Sequence, residues 1–244
     1  MPLRQTKIAA KTDCATVSCT NCGIFQLCHS VGGDTDLSVL DTIVKSRRTI
    51  KRGEPLYRAG DAFQAIYAIR GGTIKTSLVA NDGGVQITGF HVAGEVLGLD
   101  ALTVGRHGCD AIAIETASVC EVPFALFKEL GKDFPDLPYK MLEIMSRNIL
   151  HNHELMLLLG KKNSEERLAT YLLNMSSRMA MRNFSATQLN MNMSRSDIGN
   201  YLGLAEETVC RTFSRFQEEG LLTIRHKQII LNDLARLKTK AQRL

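Results

Sequence analysis

The chain has 244 residues, which suits two modest domains, and its 44% hydrophobic content sustains a packed core. No stretch approaches the ~20 consecutive apolar residues that span a bilayer. The opening MPLRQTKIAAKTDC has too short an apolar run for a secretory signal, so a cytoplasmic protein with no membrane partner is expected. The net charge of +5 is unevenly placed: residues 161–244 carry 14 Lys+Arg against 8 Asp+Glu, and the first 160 carry 16 against 17. A basic rear half suits a polyanion, although a solvated basic surface gives the same count.

The first predicted segment, residues 1–33, holds the stretch SCTNCGIFQLCHS with Cys19, Cys22 and Cys28 spaced C-x2-C-x5-C. Structural disulfides are rare in the cytosol, so clustered thiols there point to a metal or a redox site. Zinc is the other metal to consider, although structural zinc sites usually pair two short knuckles. Cys14, Cys109, Cys120 and Cys210 complete the set. Cys120 sits in the apolar run ASVCEVPF, where residue chemistry alone reads it as a small buried hydrophobe. VGGD closes the segment as a flexible joint.

Residues 34–135 form the next predicted domain. Short apolar runs (AIYAI, TIKTSLVA, VQITGFHV, AIAIETASVCEVPF) alternate with Gly and Asp-Gly turn signals at about ten-residue intervals, as in a small sandwich or barrel. The period then changes. Over 136–162, Leu142, Met145, Ile149, Asn152, Met156 and Leu159 are spaced 3, 4, 3, 4, 3. That is a heptad seam on one long helix with one polar member, Asn152; its narrowness favours a second copy of the chain, although a helix packed on its own domain gives a similar pattern. His151 and His153 beside it are expected in solvent or at an interface.

Residues 163–244 read helix, helix, helix, hairpin. In SRSDIGNYLG, Ser194 is the N-cap and Asp197 its capping-box partner. Gly203-Leu204-Ala205 is a tight turn, and EETVCRTFSRFQEEG is a second helix stopped by Gly220. Val209, Phe213 and Phe216 share its inner face; Glu207, Cys210, Arg211 and Arg215 share the outer one. LLTIRHKQIIL then makes two strands around a basic turn. The pattern is a helix-turn-helix followed by a wing. Arg211 can read a guanine edge bidentately, and Glu207 can accept from cytosine N4, although the two can equally form an i,i+4 ion pair. Arg195 and Lys227 join the DNA-facing set, Lys227 as a phosphate contact. No paired nucleophile and base and no phosphate loop is present, so no enzyme is expected.

These motifs together resemble the CRP/FNR superfamily of transcription regulators, and within it the oxygen-sensing fumarate and nitrate reduction regulator branch. GDAFQAIYAIRGGTIKT, QITGFHVAGEVLGLDA, ETASVCEVPF, LLLGKKNSEERLA and DIGNYLGLAEETVCRTFSRFQ all match that branch. The resemblance implies an α+β fold: a cyclic-nucleotide-binding-like β-roll, a long dimerisation helix and a C-terminal winged helix-turn-helix. It also implies a [4Fe-4S] cluster on Cys19, Cys22, Cys28 and Cys120, with Cys14, Cys109 and Cys210 spare, although Cys14 could stand in for Cys19. Thiolates are the usual iron–sulfur ligands, and four are wanted. It further implies a homodimer, double-stranded DNA with a site like TTGAT-N4-ATCAA, and RNA polymerase as partners. The Asn81–Gly84 loop matches a polymerase-contacting loop but lacks an acidic residue at Gly84. The branch usually has serine where this chain has Cys210, and often an acid where it has Asn152. Gly108-Cys109 replaces the Arg–Ser pair with which nucleotide-binding relatives clamp a phosphate, so no cyclic nucleotide is expected. A thiol or nitric-oxide sensor without a stable cluster remains the alternative regulator. A small iron–sulfur electron carrier would not need the helix-turn-helix.

Overall fold

The computed structural model describes residues 46–125 and 136–242. The first part is a β-sandwich of eight strands: β1 (Ser46–Ile50), β2 (Pro55–Tyr57), β3 (Ala65–Gly71), β4 (Thr73–Val79), β5 (Val85–Val92), β6 (Val96–Leu97), β7 (Asp110–Ala113) and β8 (Ala117–Pro123). They form two antiparallel sheets, ordered β1-β8-β3-β6 and β2-β7-β4-β5. Ile50, Leu56, Ile69, Ile74, Ala113 and Val119 fill the space between them. β3 alternates least, because nearly its whole length is buried, as a central strand covered on both faces must be.

α1 (Asp136–Lys161) is one continuous helix. α2 (Ser164–Ala180) follows after two residues, and Asn163 opens it with a complete capping box to Glu166. Then come β9 (Gln188–Asn190), α3 (Arg195–Leu202), α4 (Glu206–Glu218), β10 (Leu222–Arg225), β11 (Gln228–Leu231) and α5 (Leu234–Ala241). The wing is a three-stranded sheet, β10-β11-β9, not a bare hairpin. β9 and α5 are additions to the expected helix, helix, helix, hairpin. β9 is only three residues long and gains its identity by pairing with β11, and α5 starts on an Asp233 cap that accepts from the Arg236 N–H.

The second core, built on Leu168, Leu172, Leu189, Ile198, Leu202, Val209, Phe213, Phe216 and Leu237, is continuous with Ile87, Phe90 and Val92 of β5. The helix-turn-helix is therefore packed against the β-sandwich. Phe90 lies 5.3 Å from the Tyr201 ring and 6.2 Å from that of Tyr171, centroid to centroid.

Candidate functional site

The helix-turn-helix is built as its sequence predicts. The Ser194 hydroxyl accepts from the Asp197 N–H, and the Asp197 carboxylate accepts from the Ser194 N–H. α3 ends on Gly203 in the left-handed region (φ 61), where a side chain would be strained. Gly199 permits the close crossing of the two helices: a Cβ there would stand 2.6 Å from the Leu204 carbonyl oxygen. α4 buries Val209, Phe213 and Phe216 and leaves Glu207, Cys210, Arg211 and Arg215 exposed. A helix amphipathic in this way presents one polar face along its length.

The polar side chains are already engaged. Arg211 and Glu207 form an i,i+4 pair at 3.4 Å, both well exposed. Arg215 reaches back to Glu165, which Lys240 also holds. The Arg195 guanidinium stacks 3.6 Å above the Phe213 ring, a cation–π contact that ties the start of α3 to α4. Arg225, His226 and Lys227 are exposed at the tip of the wing, where His226 takes a positive φ of 55.

On α1, Leu142, Ile149 and Met156 are 62%, 54% and 63% exposed. Asn152 is also exposed, and Met145 and Leu159 are half-buried. The helix meets its own chain through Met141, Leu155 and Leu158. Among the described residues, Leu142, Ile149, Asn152 and Met156 of the 3/4-spaced seam are left uncovered, while Leu159 packs against the second core. His151 is half-buried, with Nε2 3.4 Å from the Tyr201 hydroxyl, and His153 is exposed.

Of the predicted cluster ligands, Cys19, Cys22 and Cys28 lie outside the described residues. Cys120 is half-buried on β8, paired in register with Arg47 of β1 and Ala68 of β3. Among the described residues no three His, Cys, Asp or Glu side chains gather as a metal site. Cys109 belongs to a separate polar cluster. Asp100 accepts from the Gly108 N–H (2.9 Å) and the Cys109 thiol (3.6 Å), and His107 stacks on Tyr57 at 3.7 Å. Burial, with the Asp100 charge adding to it, pushes the Cys109 thiol up to about 12. The Asn81–Gly84 loop is an exposed tight turn in which the Gly84 N–H donates to Asp82.

Sequence reasoning missed the junction between the domains. Asn200 of α3 grips the edge of β5: its Oδ1 accepts from the Ile87 N–H (2.6 Å), and its Nδ2 donates to the Val85 carbonyl (2.7 Å). Lys75 pairs with the capping residue Asp197 at 2.7 Å. Glu95, just after β5, accepts from Arg178 Nε at 2.8 Å and pairs with Arg182 at 3.1 Å. Burial alone would raise the Glu95 carboxyl, but the Arg178 charge and hydrogen bonds, with Arg182, hold it down at about 2. Beside it, burial lowers His91 to about 4 against the opposing pull of Glu95. The one available signal was a buried-strand pattern followed by an acid, which does not name its partner.

Comparison with known proteins places these features in a family. Residues 166–240 match the Crp-like helix-turn-helix domain, and residues 47–133 match the cyclic nucleotide-binding domain. Over 230 residues the chain is 42% identical to the fumarate nitrate reduction regulatory protein of Klebsiella oxytoca, covering 93% of this chain and 92% of that one. It is 44% identical over 216 residues to the transcriptional activator protein Anr of Pseudomonas protegens, covering 88% of each. Among solved structures, FixK2 from Bradyrhizobium japonicum superposes with a TM-score of 0.75 at 30% identity, over 82% of this chain and 98% of that one. The chain belongs to the CRP/FNR family of DNA-binding transcription regulators, on the branch of the fumarate and nitrate reduction regulators, and not to a family of enzymes.

Proposed function

We propose that the protein is an oxygen-responsive transcription regulator that binds a palindromic site as a homodimer and holds a [4Fe-4S] cluster on Cys19, Cys22, Cys28 and Cys120. The observation that carries this reading is the register of β1 on β8. Arg47 lies opposite Cys120, and Ser46 lies opposite Glu121. β1, the strand that follows the cysteine-bearing segment, therefore lies one strand spacing, about 4.8 Å, from Cys120. Cys28 lies 18 residues before Ser46, and the reach of such a length, at most about 3.3–3.6 Å per residue, exceeds one strand spacing many times over. Cys120 is half-buried rather than sealed in the core. Four thiolates suit an iron–sulfur cluster, and bound there the group supplies a centre that dioxygen can oxidise. The chain's own part is to hold the arm against β8 through Cys120 and to pair the 142–159 seams. Cys109, kept protonated by burial and Asp100, is a poor thiolate sensor, which weighs against the cluster-free alternative.

On DNA, Arg211 leaves Glu207 to donate to a guanine edge while Glu207 accepts from cytosine N4. Cys210 lies between them as a weak donor and acceptor. Arg195, Arg215 and Lys227 flank this pair toward the phosphates, Arg215 after exchanging its Glu165 partner. Asp100 turns a carboxylate on the Gly108 and Cys109 donors, so a cyclic phosphate at that place would meet a like charge. The Asn81–Gly84 turn is the surface offered to RNA polymerase.

The test is protein purified under nitrogen. Wild type should contain iron and show broad visible absorption that changes on exposure to air. Alanine at Cys19, Cys22, Cys28 or Cys120 should abolish both, while alanine at Cys14, Cys109 or Cys210 should leave them. Full iron content in Cys120→Ala would overturn the proposed ligand set.

A further inference from the structure

We infer that Arg167 is a positioning residue: its guanidinium fixes the helix-turn-helix relative to the dimer seam and thereby sets the spacing at which two half-sites are read. The inference rests on the dimeric reading above. Arg167 lies in the first turn of α2 and donates to carbonyls on both neighbouring helices. Nη2 reaches Leu159 (2.9 Å) in the last turn of α1, and Nε reaches Lys162 (2.8 Å), the residue just past its end. Nη1 reaches Leu202 (2.8 Å) and Gly203 (3.3 Å), at the end of α3.

The last carbonyls of a helix have no intrahelical partner and carry its negative pole. Here two such poles converge on one cation. A planar fork can serve several directed acceptors at once, whereas a lysine ammonium acts as a point charge on a flexible stem. Leu159 is also the last seam residue, and its Cδ2 would lie 3.5 Å from a Cβ placed on Gly203. Gly203 in turn makes the tight turn that sets α3 against α4. The α1–α2 link is only Lys162 and Asn163, and Asn163 is fixed in its capping box. No slack loop absorbs a rotation of α1, so a change at the seam is delivered to the turn. On its other side α3 is held to its own sandwich by Asp197 and by Asn200, whose carbonyl also accepts from Gln86, and the Leu202 and Gly203 carbonyls that follow go to Arg167.

The experiment compares wild type, Arg167→Ala and Arg167→Lys, as full-length protein loaded and handled without oxygen. Each is titrated on duplexes carrying TTGAT-N4-ATCAA and on versions with the spacer one base pair shorter or longer. Sedimentation and thermal melting are run alongside. Wild type should strongly prefer one spacer. Both variants should remain dimeric, lose about tenfold or more on that spacer, and bind the three spacers within about threefold of each other. If Arg167→Ala does not fold, Arg167→Lys carries the comparison. An equal loss on all three spacers, with the preference intact, would show a merely structural role and overturn the inference. So would a wild-type spacer preference in Arg167→Lys, since charge alone would then suffice. A wild type that sediments as a monomer and is indifferent to spacing would instead refute the dimeric reading and the inference with it.

Discussion

Replacing Glu95 by Gln removes the carboxylate that joins the β-sandwich to α2 while keeping its shape. Glu95 is 13% exposed and faces two guanidiniums, those of Arg178 and Arg182, each 17% exposed. Holding its carboxyl at about 2 instead of the ordinary 4.5 corresponds to about 3 kcal/mol at 1.36 kcal/mol per pH unit. Losing one partner of a buried pair leaves the other charge uncompensated, which costs about 3–5 kcal/mol. The expected loss is therefore about 3 kcal/mol at pH 7. The pH dependence follows from the sign. A depressed carboxyl contributes its stability above about 4.5 and loses it as pH falls toward 2, so Glu95→Gln should weaken less steeply than wild type over that range, the lowered carboxyls of Asp197 and Glu165 leaving a shallower limb in both. His91 acts at higher pH. Its folded value of about 4 lies below the ordinary 6.5, so its contribution is complete above pH 6.5 and is lost between 6.5 and 4; the variant keeps that slope. The chain has no tryptophan and five tyrosines, Tyr171 and Tyr201 of them at the junction, so the assay is urea unfolding followed by circular dichroism and by total tyrosine fluorescence. In the variant, the sandwich and the helix-turn-helix should unfold in separate transitions. A loss below about 1 kcal/mol at pH 7, or an unchanged acid limb below pH 4.5, would refute the reasoning.

Arg211→Ala should cost about 1–3 kcal/mol on the specific site and relax preference at one guanine per half-site, whereas Lys227→Ala should weaken specific and random duplexes alike and lower the salt dependence; identical behaviour in gel-shift titrations would refute that division. Asn152→Asp places two carboxylates across the seam and should cost about 1–2 kcal/mol at an intermediate dielectric, roughly a tenfold shift in the monomer–dimer equilibrium. Sedimentation of cluster-free protein tests this, and an unshifted equilibrium would show that position 152 does not set it. Gly199→Ala drives a Cβ to 2.6 Å from the Leu204 carbonyl and should abolish specific binding and lower the melting temperature, by an overpacking cost of about 1–3 kcal/mol; a variant that melts and binds like wild type would remove the close crossing from the account.

Much of this molecule is fixed by local chemistry and was legible in the chain. The Ser194–Asp197 capping box, the left-handed Gly203 and the burial of Val209, Phe213 and Phe216 each follow from residues within a turn or two of one another, where spacing alone decides which groups can meet. The same holds for Leu142, Ile149, Asn152 and Met156 of α1, which share one exposed stripe among the described residues at 3/4 spacing. What the sequence left open depends on partners far apart along the chain. β9 becomes a strand by pairing with β11. Arg195 and Arg215 looked like free cations, yet one stacks on Phe213 and the other pairs with Glu165. Nothing local foretells that Asn200 grips β5, that Glu95 faces Arg178 and Arg182, or that Arg167 serves two helix ends. A charged or amide side chain carries no periodic signal and can satisfy itself on any acceptor or donor within reach. Only the packing of Phe90 against Tyr171 and Tyr201, which brings the two domains together, decides which partner that is.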